Sequence, residues 1–314
     1  MRAKNSNLID DTLLILTMAV LAGCGLIYEY LLSHYAGRVL GVMESTIYTM
    51  IGLMIVSMGL GAFAARKVRC AFNGFVCLEL IIALLGTSAI LFIGALIAIT
   101  QTLPHIISDM FALPPDMLPK GGIFNQLSFL AMNSPYLFGV VIGFFIGMEI
   151  PLIARIREQI HGQHLANNLG TIYGADYIGA GLGAAIWVLF LLSIDISKAA
   201  ALTASLNLIA GAFFILRYWH KLRWRKTFVS LHVLLAGVIF LMFNYGNQWL
   251  NQMNSLLYLD KVVHSQKTRY QQLTFTERNM CLNSVNTQSG NAQKNVINFY
   301  LNGRLQFSSI DEHI

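Results

Sequence analysis

The segment from Leu80 to Thr100, LIIALLGTSAILFIGALIAIT, contains no charged side chain. A helix needs about 20 mostly apolar residues to cross the hydrocarbon core of a bilayer, so a run of this length is typical of a membrane span. The whole chain is 56% hydrophobic and only 11% charged, whereas soluble domains are roughly 25% charged. This composition predicts a multi-spanning membrane protein and excludes a conventional globular enzyme.

Apolar segments of this kind recur along residues 1–245, and they predict an all-α polytopic membrane bundle of about seven spans. The last segment is the shortest and contains Ser230 and His232. A segment rich in proline and glycine, 102–126, predicts a long outer loop, with a short interfacial helix within it as an alternative. The candidate spans are 12–33, 43–65, 72–100, 130–154, 168–193, 198–216 and 227–243.

Basic side chains cluster after the second, fourth and sixth candidate spans. In membrane proteins such clusters mark cytoplasmic loops, so the N-terminus and these loops are predicted to be cytoplasmic in a bacterial inner membrane. The same placement accounts for the net charge of +6, and no nucleic-acid partner is expected. Seven spans would then leave the C-terminal tail outside, unless the weak seventh segment does not cross or the count is wrong elsewhere, so the side of the tail stays open. The clustered residues are Arg66, Lys67, Arg69, Arg155, Arg157, Arg217, Lys221, Arg223, Arg225 and Lys226.

Three segments carry small residues at every fourth position. Such stripes let helix backbones approach closely, and they predict a tightly packed bundle. A gating or transport role for the stripes remains an alternative, and formation of a homo-oligomer is left open. The stripes are Ser57, Gly61 and Ala65; Gly139, Gly143 and Gly147; and Ala175, Gly179 and Gly183.

Three acidic residues, Glu29, Glu149 and Asp176, fall within the candidate spans. A charge at the bilayer centre costs at least about 2.5–3.5 kcal/mol, so such residues mark either structural pairing or a cation or proton site. A contact with Arg155 would lower the cost for Glu149. If the fourth and fifth spans form a hairpin, Glu149 and Asp176 would be neighbours, and Pro151 predicts a local kink there.

Residues 246–314 change to a polar composition that favours extended chain. Strands are predicted within 262–276 and 296–301, and Asn302-Gly303 is a strong hairpin signal. The polar stretch 278–295 between these strands is predicted to be a mobile loop. The tail contains no catalytic arrangement, and the four cysteines lack metal-ligand spacing, so no metal site is expected.

Three motifs of the tail resemble the N-terminal β-region of the spermidine synthase, or polyamine aminopropyltransferase, family. The family reads Tyr- or His-Gln, then Leu-Asp-Gly-x-x-Gln, then Asp-Glu-x-x-Tyr-His-Glu. This chain has Tyr270-Gln271, then LNGRLQ at 301–306, then Asp311-Glu312. Stretches 26–29, 147–151 and 173–176 resemble the membrane region fused ahead of such domains in many bacteria.

The resemblance implies transfer of an aminopropyl group from decarboxylated S-adenosylmethionine to a diamine such as putrescine. It also implies that Gln271 contacts the donor, and that Asp311 and Glu312 approach the active-site entrance. The sequence ends at Ile314, before the family's Tyr-His-Glu, glycine-rich loop and catalytic aspartate. The chain is therefore expected to be a truncated part of a membrane-bound enzyme, with an incomplete β-region and no activity alone.

Two other functions remain open at this point. The bundle could transport a polyamine or another cation by means of Glu29, Glu149 and Asp176, or it could anchor a soluble domain or partner at the membrane. The expected partners are the lipid bilayer and, by the resemblance, a polyamine such as putrescine or spermidine.

Overall fold

In a computed structural model, residues 2–112, 121–161, 168–258, 260–268, 271–281, 293–301 and 304–309 are described. Helices dominate this part of the chain up to residue 257, and strands follow. The helices are α1 (Arg2–Leu40), α2 (Met43–Ala64), α3 (Ala71–Met110), α4 (Ile123–Gly147), α5 (Glu149–His161), α6 (Asn168–Leu189), α7 (Ile196–Arg217) and α8 (Arg225–Leu257).

Within the described residues, 7 helical segments are long and apolar enough to cross a membrane, and α4 with α5 counts as one of them. The predicted number of long apolar helices is therefore confirmed. The seventh segment, Arg225–Met253, is 29 residues long, so the shorter prediction of 227–243 was wrong. The polar residues Ser230 and His232 lie within α8 and do not end it. A membrane helix tolerates isolated polar side chains that find partners or face other helices.

The predicted loop at 102–126 was too long at both ends. Helix α3 continues to Met110 with Pro104 inside it, and α4 begins at Ile123. A proline in a helix removes one main-chain hydrogen bond, and the turns on both sides can keep the helix continuous. Residues 113–120 lie outside the described part of the chain.

The small-residue stripes are where helices meet most closely, as predicted. A Cβ atom built on Gly61 of α2 would overlap the main-chain oxygen of Phe144 of α4. On α6, a Cβ atom built on Gly179 or Gly183 would overlap the main-chain oxygen of Ala19 or Gly23 of α1. Glycine is required at these positions because only a helix without side chains there allows the backbones to touch.

Ion pairs hold the start of α1 against the basic end of the bundle. Arg157 of α5 pairs with Asp11, with Nη2 2.8 Å from Oδ2. Arg217, the last residue of α7, has Nη2 2.6 Å from Oδ1 of Asp10. Asp10 and Asp11 therefore lie at the same end as the basic loops, which is the arrangement that the charge pattern predicted.

The helix formed by α4 and α5 is interrupted at Met148, as the proline predicted. Pro151 is the third residue of α5, a position where a main-chain N–H has no partner within its own helix. The interruption places Glu149 at the first residue of α5. A local break in the middle of a long segment therefore determines where this acidic side chain lies.

The described part of the tail is a four-stranded antiparallel sheet with strand order β1-β2-β3-β4. Leu273 of β2 pairs with Leu301 of β3, and Leu301 in turn pairs with Arg304 of β4. The hairpin signal was predicted at residues 302–303, which lie outside the described residues. The strands are β1 (Lys261–Lys267), β2 (Gln272–Cys281), β3 (Gln293–Leu301) and β4 (Arg304–Ser308).

The loop predicted at 278–295 was too long, because β2 extends to Cys281 and β3 begins at Gln293. Asn279 pairs with Asn295 across these two strands. Polar residues can pair in antiparallel strands, so the polar composition of 278–295 was a poor guide to the strand ends. The remaining residues, 282–292, lie outside the described part of the chain.

Candidate functional site inside the helical bundle

The sequence analysis did not single out the acidic side chain that is buried most completely. Glu79 of α3 is 0% exposed, and Oε2 of its carboxylate accepts a hydrogen bond of 3.0 Å from Nδ2 of Asn207 on α7. The Asn207 side chain is 1% exposed. The sequence contained a signal for this residue, because Glu79 follows Leu78 within the candidate span 72–100. A charge there has the same kind of free-energy cost as one at Glu29, Glu149 or Asp176.

A second buried carboxylate, that of Glu149, approaches this pair from the break between α4 and α5. Glu149 is 1% exposed. Its carboxylate interacts electrostatically with Glu79 and, more weakly, with Asp176 of α6. This interaction is consistent with the neighbourhood predicted for Glu149 and Asp176, which stays a prediction. Asp176 itself is only partly buried.

The expected contact between Glu149 and Arg155 was wrong. The Arg155 guanidinium turns to the end of α2, where Nη1 donates to the main-chain oxygens of Val68, at 2.8 Å, and Ala65, at 3.3 Å. The last carbonyl groups of a helix have no partner within it, so a nearby guanidinium satisfies them well. Glu149 is left to interact with the other acidic side chains.

Tyr28 of α1 brings a phenol group to the same region. Its side chain is 0% exposed, and its hydroxyl lies within electrostatic reach of both Glu79 and Glu149. A Cβ atom built on Gly86 of α3 would lie 2.6 Å from the Tyr28 hydroxyl oxygen. The absence of a side chain at Gly86 therefore makes room for the phenol ring.

His232 of α8 enters from the other side of α3. Its Nδ1 lies 2.9 Å from the main-chain oxygen of Phe228, so this nitrogen carries a hydrogen and Nε2 is the acceptor of the neutral ring. A Cβ atom built on Gly211 of α7 would lie 2.7 Å from His232 Nε2 and 3.4 Å from Glu79 Cβ. The imidazole and the Glu79 side chain therefore both border Gly211.

We refer to the residues Tyr28, Glu79, Glu149, Asn207 and His232 as the inner polar cluster. They come from five different helices, α1, α3, α5, α7 and α8, and each is buried. Each also has one side-chain atom that is buried without a hydrogen-bond partner among the described residues. Buried polar atoms of native proteins are usually paired, so five such atoms in one region are unusual.

The predicted site residue Glu29 is not part of this cluster. It follows Tyr28 directly on α1, so its side chain projects about 100° around the helix axis from that of Tyr28. Glu29 is 8% exposed, and no contact joins it to Glu79 or Glu149 among the described residues. Of the three predicted acids, Glu149 is the one that belongs to the cluster, and Glu79 is an acid that the prediction did not include.

The site residues predicted in the tail are far from the cluster in the chain, and the structure describes only one of them. Gln271 lies in the turn between β1 and β2, where its main-chain N–H donates to Oγ1 of Thr268 at 3.0 Å. Gln271 is exposed. Asp311 and Glu312 lie outside the described residues.

A polar network stabilises the sheet near its junction with α8. Asp260 is 7% exposed and accepts hydrogen bonds from Nε of Arg278, at 2.6 Å, and Nδ2 of Asn298, at 3.1 Å. Burial, and then the negative charge of Asp260, raise the pKa of Tyr300 on β3. Ser308 of β4 extends the network by donating to Asn298 Oδ1 at 2.6 Å.

A groove of about 380 Å³ lies beside this network, between the end of α8 and the first two strands. Its lining residues carry no charge, so the groove offers no charged group to a substrate. Among the described residues, no three His, Cys, Asp or Glu side chains come together as a metal ion would require. The groove is lined by Asn251, Gln252, Ser255, Tyr258, Val262, Ser265 and Thr274.

Comparison with known proteins finds similarity along nearly the whole chain. It is 58% identical over 314 residues to a polyamine aminopropyltransferase of Shewanella oneidensis, covering 99% of this chain and 53% of that protein. It is 26% identical over 309 residues to polyamine aminopropyltransferase 1 of Streptomyces coelicolor, covering 96% of this chain and 50% of that protein. The chain thus spans about half the length of the curated relatives it matches.

A third relative, the polyamine aminopropyltransferase of Leptospira interrogans, is 25% identical over 310 residues. No protein-family model matches the chain. No solved structure matches it. An identity of 58% over almost every residue is nevertheless far above what unrelated chains share, and the chain is therefore a homologue of the curated polyamine aminopropyltransferases.

Proposed function

We propose that this chain forms a membrane-spanning region and part of a β-region in a polyamine aminopropyltransferase. The observation that carries the proposal is the 58% identity over 99% of the chain to the Shewanella oneidensis protein of that name. The reaction would transfer an aminopropyl group from decarboxylated S-adenosylmethionine to a diamine. The amine nitrogen attacks the carbon beside the sulfonium, the carbon–sulfur bond breaks, and the sulfur leaves as a neutral thioether.

The apolar outer surface of the bundle supports insertion in a bilayer. Helix α2 leaves large side chains exposed, for example Val56 at 64% and Phe63 at 73%. Helix α8 does the same with Val233 at 69% and Phe240 at 66%. Soluble monomers rarely expose apolar surface over whole helices, whereas lipid-facing helices do so as a rule.

The proposed location is a bacterial inner membrane, with the N-terminus and the basic loops in the cytoplasm. The sheet would then lie on the opposite side, because it follows an odd number of long apolar helices. Packing within the bundle supports this placement. Gly94 of α3 borders Tyr35, near the end of α1, and Leu250 and Met253, near the end of α8.

The proposed role of Gln271 is contact with the donor, as the resemblance implies, and its exposed position in the turn leaves the side chain accessible. The role of Asp311 and Glu312 at the active-site entrance stays a prediction. The expectation that this chain does not catalyse the transfer alone also stays a prediction, and the experiment below tests it.

The test is a chimera in which this chain replaces the segment of the Shewanella oneidensis protein that it matches. We expect membranes containing the chimera to form spermidine from putrescine and decarboxylated S-adenosylmethionine, and membranes containing only the 314-residue chain to form none. A Gln271→Ala chimera should have a higher KM for the donor. A chimera that inserts in the membrane but forms no product would overturn the proposal.

A further inference from the structure

The unpartnered atoms of the inner polar cluster are almost all hydrogen-bond acceptors. They are Oε1 of Glu79, Oε2 of Glu149, Oδ1 of Asn207 and Nε2 of His232, together with the Tyr28 hydroxyl. Nδ2 of Asn207 donates one of its two hydrogens to Glu79, and Nδ1 of His232 donates to the Phe228 carbonyl. When both carboxylates are ionised, the cluster has more unpaired acceptors than donors and a negative charge that no basic side chain of the cluster balances.

The cluster is placed by the packing of several helices rather than by one of them. Gly86 and Gly211 lack the side chains that would collide with Tyr28 and His232. Glu79 and Asn207 are joined across α3 and α7 by their hydrogen bond. Helices α3 and α7 thus leave space for the polar side chains of α1 and α8. Several helices therefore contribute to the environment of the buried Glu79 carboxylate.

A partner for this cluster must supply positive charge and several hydrogen-bond donors. A buried carboxylate is stabilised only when it is paired and hydrogen-bonded. A protonated primary amine provides one charge and three N–H donors on a single nitrogen. Among the described residues, no three His, Cys, Asp or Glu side chains of this region come together as a metal ion would require.

We propose that the helical bundle binds a protonated amine between Glu79 and Glu149, with Asn207 and His232 as additional acceptors. This site goes beyond the proposed aminopropyl transfer and does not rest on it. It differs from the site expected from the sequence, because Glu79 replaces Glu29 as the second acid. Glu79 and Glu149 provide the charge, and the remaining members of the cluster orient the ammonium group.

The experiment measures binding of putrescine to the purified full chain in detergent or nanodiscs by isothermal titration calorimetry, without any aminopropyl donor. Glu79→Gln and Glu149→Gln keep the side-chain size and remove one charge each. We expect either substitution to weaken putrescine binding on the order of thirtyfold, because the ammonium loses a buried charged partner. Glu29→Gln is the matched control, since Glu29 is a buried acid outside the cluster, and it should bind as the unsubstituted chain does.

Tyr28→Phe is a second variant that removes only a hydroxyl group and preserves the ring. We expect it to weaken putrescine binding by about tenfold, as the loss of one hydrogen bond near a charged group would. Size-exclusion chromatography establishes that each variant is folded. The proposal is overturned if the unsubstituted chain does not bind putrescine, or if folded Glu79→Gln and Glu149→Gln variants bind as tightly as the unsubstituted chain. Because no donor is present, none of these results bears on the transferase proposal.

Discussion

The guanidinium of Arg157 on α5 and the carboxylate of Asp11 on α1 form a two-pronged ion pair, with Nη2 2.8 Å from Oδ2. The same guanidinium donates from Nη1 to Oδ1 of Asn168, at 3.0 Å, and Asn168 donates to the main-chain oxygen of Ala154 at 2.9 Å. The Arg157 side chain is 7% exposed. One arginine thus joins α1, α5 and α6 at the end of the bundle that carries the basic loops.

Replacing Arg157 with alanine should destabilise the bundle strongly. Breaking a largely buried ion pair by removal of one partner costs about 3–5 kcal/mol, because the other charge stays buried without a partner. The measurement is the thermal unfolding of the purified protein in detergent. Arg157→Ala should lower the Tm well below that of the unsubstituted chain.

The control for this prediction is the exposed pair of Lys198 and Asp195, whose atoms are 3.0 Å apart. An exposed ion pair contributes only about 0.2–1 kcal/mol. Lys198→Ala should therefore leave the Tm nearly unchanged. Equal effects of the two alanine substitutions would contradict the role given to Arg157.

Two glycines of α2 differ in their surroundings, because Gly61 contacts another helix and Gly59 does not. Gly61→Ala should destabilise the protein by about 1–3 kcal/mol, because the new Cβ atom would overlap the Phe144 main-chain oxygen and force α2 and α4 apart. Gly59 has open space where its Cβ atom would lie. Gly59→Ala should have no destabilising effect, and thermal unfolding of both variants under one condition compares them directly.

The Asp260 network should stabilise the sheet without affecting the bundle. Asp260→Ala removes the acceptor for Arg278 and for the buried Asn298, and hydrogen bonds to charged groups each contribute about 1.5–3 kcal/mol. We expect limited proteolysis to cut within the strands faster in this variant, while the helical fragment remains protected. Lys261→Ala changes the neighbouring exposed residue, and cleavage as fast in this control would argue against the network.

The side of the membrane on which the sheet lies can be measured with a membrane-impermeant maleimide on spheroplasts. Cys70 is an exposed native reporter for the first basic loop. Leu305, which is 53% exposed on β4, can be replaced with cysteine in a chain that lacks Cys70. In both cases the other native cysteines are replaced.

We expect the Leu305→Cys protein to react in intact spheroplasts, and Cys70 to react only after permeabilisation. The reason is that seven long apolar helices place the start of the first and the end of the last on opposite sides. Reaction of both positions under the same condition would show that one helix does not cross the bilayer.

Local patterns in the sequence were enough to predict much of this architecture. Apolar length predicted the seven long helices, Pro151 predicted the break before α5, and small residues at every fourth position predicted where α2 meets α4 and α6 meets α1. Each of these features depends on residues that are near one another in the chain. The ends of the elements were predicted less well, as at 102–126 and 278–295, because helix and strand ends depend on packing that composition does not report.

The inner polar cluster, by contrast, was decided by tertiary structure. The sequence by itself determined that acidic residues lie within apolar helices, and it drew attention to Glu149 and Asp176. Only the packed bundle joined Glu79 to Asn207 by a hydrogen bond. The physical reason is that a side chain's neighbours depend on how each helix is rotated about its axis and on where the helices cross. Those quantities are determined by contacts between distant segments, and no single segment contains them.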